Sequence, residues 1–354
     1  MTDVLYPAGS GNRLEPLLAH HPRVDLRLIE TPLEPLERYR AELGVELQIK
    51  REDILPLGMG GNKIRQLEFY LGPAVKAGAD TVVITGAVQS NFVCLCAAAC
   101  RKLGMEPVLQ LENRAADKGE AYHKSGNVLL ERMLGAEIRT FPVGEDEAAA
   151  DASLDAIAAE LKADGRRPYV IHLGTDSPPR GALGYTLAAE ETMRQCDQSN
   201  FMPDHIVMPS GSGITHSGFL VGARALGWDV KIDGICVRRS ADLQHQRVLK
   251  RALETSELLG QTDIISEADV RVHDEMLAPS YGSPSDFIMQ TVHRAARLEG
   301  LFMDPVYVGR GFAGMVDLVE RGEIFGGAKV LFLHTGGTPG IFAYQDELLA
   351  SAGQ

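Results

Sequence analysis

From about residue 80 onward, short β-branched runs alternate with stretches of helical periodicity, and this alternation constrains the fold more than any other feature of the chain. The pattern predicts strands over 81–85, 107–111, 137–142 and 168–173, with helices over 91–103 and 123–134 and an Ala/Asp/Glu-rich helix ending near Ala163. A second set follows, with strands over 205–208, 231–237 and 329–334, a helix over 217–226, and several more helices before the last strand. Ahead of both lie a strand-like run over 45–50 and a helical pattern over 64–71. Short strands separated by longer helices specify an α/β fold with a parallel sheet. At 354 residues the chain has room for two such units.

Loops dense in glycine and polar residues follow three of these strands. They are Gly86-Ala87-Val88-Gln89-Ser90-Asn91, Ser210-Gly211-Ser212-Gly213 and Thr335-Gly336-Gly337-Thr338. Ligands of open α/β sheets bind beyond the carboxyl ends of the strands, so three such loops imply one shared crevice.

Two loops carry recognisable chemistry. Gly60-Gly61-Asn62-Lys63 sets a lysine at the start of a helix after two glycines, which have no Cβ to hinder the approach of a flat ring. Burial and the positive end of the helix dipole both disfavour charge there, moving the lysine toward the free amine that forms an imine. A surface lysine after a flexible turn gives the same tetrapeptide, and that reading stays open on these four residues alone. Ser210-Gly211-Ser212-Gly213-Ile214-Thr215-His216 joins a strand to a helix, so its backbone N–H groups and the Ser212 and Thr215 hydroxyls make an anion cup. A dinucleotide turn is the rival, but the glycine spacing departs from G-x-G-x-x-G and the next strand runs into Arg238-Arg239. That arginine pair suits a 2′-phosphate, and a purely structural glycine turn also remains.

The net charge of −13 disfavours nucleic acid and anionic membranes as partners. No stretch approaches the length of a membrane span, and residues 1–21 lack the apolar core of a signal peptide, so a cytoplasmic protein is expected. Cys94, Cys96 and Cys100 lie in one alanine-rich helical segment, with spacing unlike a zinc site, and read as small packing residues. No metal is expected.

An imine-forming lysine together with a single-phosphate cup specifies pyridoxal 5′-phosphate. Asn91 can donate to its phenolic oxygen and Thr335 can reach its ring nitrogen. The chain resembles the D-cysteine desulfhydrase and 1-aminocyclopropane-1-carboxylate (ACC) deaminase family of fold type II enzymes, whose two-domain parallel-sheet fold is like the tryptophan synthase β subunit. The resemblance runs from Thr31-Pro32-Leu33-Glu34 to Phe342-Ala343-Tyr344. It includes Lys50-Arg51-Glu52-Asp53, Gln89-Ser90-Asn91, Leu111-Glu112-Asn113, Gly181-Ala182-Leu183-Gly184-Tyr185, Asp304-Pro305-Val306-Tyr307 and His334-Thr335-Gly336-Gly337, besides the lysine and Ser210 loops.

The resemblance implies roles by position. Lys63 forms the Schiff base and moves the Cα proton; Ser90 and Asn91 hold the substrate carboxylate and the phenolic oxygen. Gly211, Ser212, Gly213, Ile214 and Thr215 bind the phosphate, and Tyr281 and Tyr307 flank a small amino-acid substrate. It also implies a homodimer, with a larger domain of residues 1–69 plus 186–354 and a smaller one of residues 70–185.

Departures bear on specificity. Where the family usually carries His or Gln, and two residues later Arg, this chain has Phe92 and Cys94. Where the deaminase branch aims a glutamate at the ring nitrogen, it has Val308, which favours expulsion of a good β leaving group over ring opening. The expected reaction is α,β-elimination from a small β-substituted amino acid, D-cysteine or a sulfur or sulfonate relative. ACC deamination, another lyase or replacement reaction on a bulkier substrate, and a non-catalytic cofactor-binding protein are the alternatives.

Overall fold

The structure, a computed structural model, describes residues 13–352 apart from 116, 117, 143 and 145; residues 1–12 of the amino-terminal stretch read above lie outside the described residues. The strands are β1 (Leu33–Pro35), β2 (Glu46–Arg51), β3 (Thr81–Ala87), β4 (Glu106–Glu112), β5 (Glu137–Phe141), β6 (Pro168–Ile171), β7 (His205–Ser210), β8 (Lys231–Cys236), β9 (Arg271–His273) and β10 (Lys329–His334). They form a six-stranded sheet, β1-β2-β10-β7-β8-β9, and a four-stranded sheet, β5-β4-β3-β6. Neighbours run parallel except β1, which pairs antiparallel with β2 at the edge.

Side-chain alternation explains why the large sheet is covered on both faces. In β10, Val330 and Phe332 join a core with Leu47, Ile49 and Val207, while Leu331 and Leu333 join the opposite core with Ile206 and Met208. A strand buried on both faces reads as an unbroken apolar run, as Val330-Leu331-Phe332-Leu333 does.

Strand order fixes where the loops meet. In the large sheet the chain proceeds from β7 outward through β8 to β9, whereas β10 and β2 lie on the other side of β7. The order reverses between β7 and β10, and the Ser210 and Thr335 loops follow those two strands. In the small sheet β4 and β5 lie on one side of β3 and β6 on the other, so the Gln89-Ser90 loop leaves a second reversal. Crevices form at such switch points.

Several expectations are corrected. The helix expected over 123–134 is two helices, Glu120–Lys124 and Gly126–Met133. Gly126 adopts φ +58°, and a Cβ there would stand 2.5 Å from Gln89 Oε1 and 2.7 Å from the Pro339 carbonyl oxygen. The helix after the Ser210 loop begins at Ile214, ahead of the expected Ser217, because Gly213 at φ +84° completes the turn. β1 and β9 were not anticipated; each is too short to display an alternation of its own.

Candidate active site

The lysine loop is built by backbone contacts from both chain halves. Gly61 forms a bridge with Gly336, the Gly61 N–H donates to the Glu52 carbonyl (3.1 Å), and the Asn62 N–H donates to the Thr335 carbonyl (3.0 Å). Gly60 and Gly61 have φ of +76° and +127°. A Cβ on Gly60 would overlap the Asp53 carbonyl at 1.7 Å, so this glycine serves the turn; a Cβ on Gly61 would stand 2.6 Å from Asn91 Nδ2 and 3.2 Å from the Thr335 carbonyl oxygen.

Lys63 opens the Lys63–Lys76 helix. Burial lowers its pKa to about 8. Among the described residues no carboxylate lies within ion-pair reach of Nζ, which stands 5.8 Å from the centre of the Phe92 ring. A desolvated amine without a counter-ion is the state a nucleophilic lysine requires.

The lysine helix is also tied to the anion cup. Asn62 Nδ2 and Gln66 Nε2 both donate to Thr215 Oγ1, at 2.7 and 2.8 Å. That oxygen therefore accepts twice and keeps its own O–H to donate. Thr215 lies in the first turn of the Ile214–Ala225 helix, whose leading N–H groups have no intrahelical acceptor. Behind the turn, Arg239 Nη1 donates to the Gly211 carbonyl (3.2 Å) and Arg247 Nε to the Ser212 carbonyl (2.9 Å), which fixes those peptides. Gly211 leaves room for its neighbour, since a Cβ would crowd Tyr307 Cε1 at 3.1 Å.

On the other wall, Ser90 caps the Asn91–Leu103 helix, its Oγ accepting from the Val93 N–H (3.4 Å). Gln89 locks this loop by donating to the Tyr122 and Ser125 carbonyls (2.6 and 3.0 Å) and accepting from the Asn127 N–H (3.0 Å). Asn91 Nδ2 donates to the Gly60 carbonyl at 3.4 Å. Tyr281 and Tyr307 meet through their hydroxyls at 3.2 Å. Burial, and then Tyr307, pushes the Tyr281 phenol well above its usual pKa, so it stays a proton donor. Asp304 holds Tyr307 in place by accepting the N–H groups of Val306, Tyr307 and Val308 at 3.0, 2.7 and 3.1 Å.

One cavity is lined by Lys63, Ser90, Asn91, Phe92, Gly211, Ser212, Gly213, Ile214, Thr215, Tyr281, Tyr307 and Thr335, all of them singled out from the sequence. Cys94 and Val308 are not among its lining residues. Cys94 is buried, its thiol pushed up by burial and then by Glu131, and Val308 packs in the core with Ile288, Val292 and Phe312. The specificity expected from those two positions therefore has no direct contact behind it. Phe92 does face the cavity.

Sequence reasoning missed Arg114, Glu147 and Arg247. Arg114 follows the matched segment Leu111-Glu112-Asn113, which was its only signal. Glu147 accepts from Arg238 Nη1 (2.9 Å), from Arg239 and from Arg247 Nη1 (3.0 Å), so the arginine pair weighed above for a 2′-phosphate is held by a carboxylate.

A family model described as "Pyridoxal-phosphate dependent enzyme" matches residues 24–336. The chain belongs to this family. D-cysteine desulfhydrases of Salmonella typhi and Salmonella newport (strain SL254) are each 40% identical to it over 327 residues, 92% of this chain and 97% of theirs. The crystal structure of an ACC deaminase homologue is similar with a TM-score of 0.86 at 36% identity, covering 96% of this chain and 99% of that one. O-ureido-L-serine synthase, 18% identical with a TM-score of 0.63 over 92% of this chain and 97% of its own, shares the fold. The fold is thus that of the fold type II enzymes, and the cofactor of the family is pyridoxal 5′-phosphate. The residues present fit that group: a buried amine with no carboxylate in ion-pair reach among the described residues, and, in the same cavity, a helix first turn with a spare hydroxyl proton at Thr215.

Proposed function

We propose that this enzyme catalyses α,β-elimination from a small β-substituted amino acid, in the manner of a D-cysteine desulfhydrase. Lys63 would hold the cofactor covalently, the 211–215 turn its phosphate, Asn91 its phenolic oxygen and Thr335 its ring nitrogen. Pyridoxal 5′-phosphate, when bound, supplies the electron sink that acidifies the substrate Cα–H. Ser90, at the positive end of its helix, would take the α-carboxylate. Tyr281 and Tyr307 would flank the substrate and deliver or remove a proton at Cα or at the leaving group, sharing that work with Lys63 according to substrate chirality. The Cα–H and Cβ–X bonds break, a Cα=Cβ bond forms, HX departs, and the released enamine takes up water to give a keto acid and ammonia.

The observation that carries this reading is the paired phenols, 3.2 Å apart, in the same cavity as a lysine without a counter-ion. Purified holoenzyme is expected to release keto acid and ammonia from D-cysteine or 3-chloroalanine; release of neither product from any β-substituted D- or L-amino acid overturns the reading. The likeness to an ACC deaminase homologue supports a second reading, which formation of α-ketobutyrate from ACC identifies. The proposal extends to a cytoplasmic homodimer, and to a large unit (residues 1–69 and 186–354) and a small unit (residues 70–185). Support for the division comes from the four-stranded sheet, all of whose strands lie between residues 81 and 171.

A further inference from the structure

The cavity holds a cation for which the proposed chemistry has no use. Arg114 lines it beside Tyr281 and Tyr307, with only 8% of its side chain exposed. Burial opposes its charge, but the Glu112 carboxylate bonded to it offsets that effect and keeps it a cation.

Its hydrogen bonds are lopsided. Nε and Nη2 both donate to Glu112 Oε2, at 3.0 and 2.8 Å. The other oxygen of Glu112 accepts from Thr85 Oγ1 at 2.9 Å, so the carboxylate is held on both sides and fixes the guanidinium plane. Nη1 donates to nothing among the described residues, yet it is not sealed off within the protein. The end-on edge of the guanidinium, Nη1 with the second N–H of Nη2, is thus left as a two-pronged donor on a buried, immobilised side chain. Such an edge matches a carboxylate, sulfonate or phosphate.

Two other anion sites are already accounted for. The phosphate has the 211–215 turn, and the α-carboxylate has the amino end of the Asn91–Leu103 helix at Ser90. The remaining anion is one on the substrate side chain.

We infer that Arg114 is a specificity-determining residue that selects amino acids carrying an anionic group on the side chain. This assignment rests on the amino-acid substrate of the reading above, but not on elimination taking place. It ranks substrates with an acidic β-substituent ahead of neutral ones such as D-cysteine and 3-chloroalanine, which the site still admits, and gives the Glu112–Arg114 pair a function beyond packing.

Aspartate and asparagine differ at the side-chain terminus by charge and little else, and neither has a good leaving group. Each enantiomer is titrated into holoenzyme and followed by perturbation of the cofactor absorbance band. Wild type is expected to bind aspartate of the accepted chirality at least about ten-fold more tightly than asparagine, the discrimination typical of one charge-assisted fork. Arg114→Gln abolishes the preference by weakening aspartate alone, and Arg114→Lys restores part of it. Because Arg114→Gln strands Glu112, the double variant Glu112→Gln/Arg114→Gln is measured alongside and is expected to lose the preference too. No aspartate preference in wild type overturns the inference. So does equal weakening of both ligands, which assigns Arg114 to the α-carboxylate or to structure, or an aspartate affinity unchanged in both Gln variants. Keto acid released from 3-chloroalanine by the same preparations reports on the elimination separately, so either result can fail without the other.

Discussion

Glu131 is fully buried in the Gly126–Met133 helix, and among the described residues neither carboxyl oxygen has a hydrogen-bond partner. Burial raises its pKa to about 9. An acid whose folded pKa exceeds the unfolded one stabilises the protein fully at low pH and loses that contribution as pH rises. The window runs from the unfolded value near 4.5 up to about 9, and at pH 7 the loss amounts to about 3 kcal/mol. Glu131→Gln is therefore expected to flatten the fall of stability between pH 5 and 8, read from urea midpoints. Lys63 has the opposite sign: its folded pKa of about 8 lies below the unfolded 10.5, so apoprotein stability rises with pH across that interval. Lys63→Met is expected to stabilise the apoprotein at pH 7 by about 1–3 kcal/mol, less at pH 10, while abolishing cofactor attachment. Of these residues Lys63 was legible, because its chemistry is written in four adjacent positions. Glu131 and Arg114 were not, because the burial of the first and the cavity position of the second beside Tyr281 and Tyr307 are set by residues far away in the chain.

At the level of elements, the lysine helix is held by a buried ion network. Arg65, two residues beyond the lysine, bonds Glu52 at 2.6 and 2.8 Å and Glu191 through two 2.9 Å contacts. Lys50 reaches Glu191 at 2.6 Å, and the Tyr185 hydroxyl donates to Glu52 at 2.9 Å. This joins β2, the lysine helix and the Ala182–Gln198 helix around one guanidinium. Arg65→Met leaves two buried carboxylates short of charge and is expected to cost about 3–5 kcal/mol, checked by chemical denaturation. Arg65→Lys rescues little, since an ammonium does not reproduce the fork. The segments Lys50-Arg51-Glu52-Asp53 and Gly184-Tyr185 marked this network in the sequence without revealing their partners, Arg65 and Glu191. Element types were legible wherever periodicity persisted, as over Asn91–Leu103. The break at Gly126 was not, since it exists to admit Gln89 from another loop.

For the whole molecule, the active-site cavity draws on the loops of both sheets, and Glu147 is a charged contact across it. It opens the Glu147–Ala163 helix, which packs on β3 and β6, and it meets Arg238 and Arg239 after β8 and Arg247 in the Ala241–Leu259 helix. Burial, and then Arg247, lowers the pKa of Arg239 to about 10, so these cations repel one another when the carboxylate is absent. Glu147→Ala is expected to destabilise by about 2 kcal/mol, discounted for partial exposure, and to speed amide exchange selectively at the start of the Glu147–Ala163 helix. The parallel α/β class and the convergence of the three loops were legible from strand spacing. The strand order was not, because nothing local in 329–334 says that β10 lies between β2 and β7.

That placement has a consequence for biosynthesis. A ribosome makes β2 and the lysine early, yet their sheet neighbour is the last strand to emerge, and Gly61 waits for Gly336. The nascent polypeptide therefore holds an incomplete sheet with the flanks of a central slot exposed until synthesis has passed residue 336. Capture of the aldehyde belongs to the period after residue 336 has been made, and a ribosome stalled before that point leaves a lysine with no finished pocket around it.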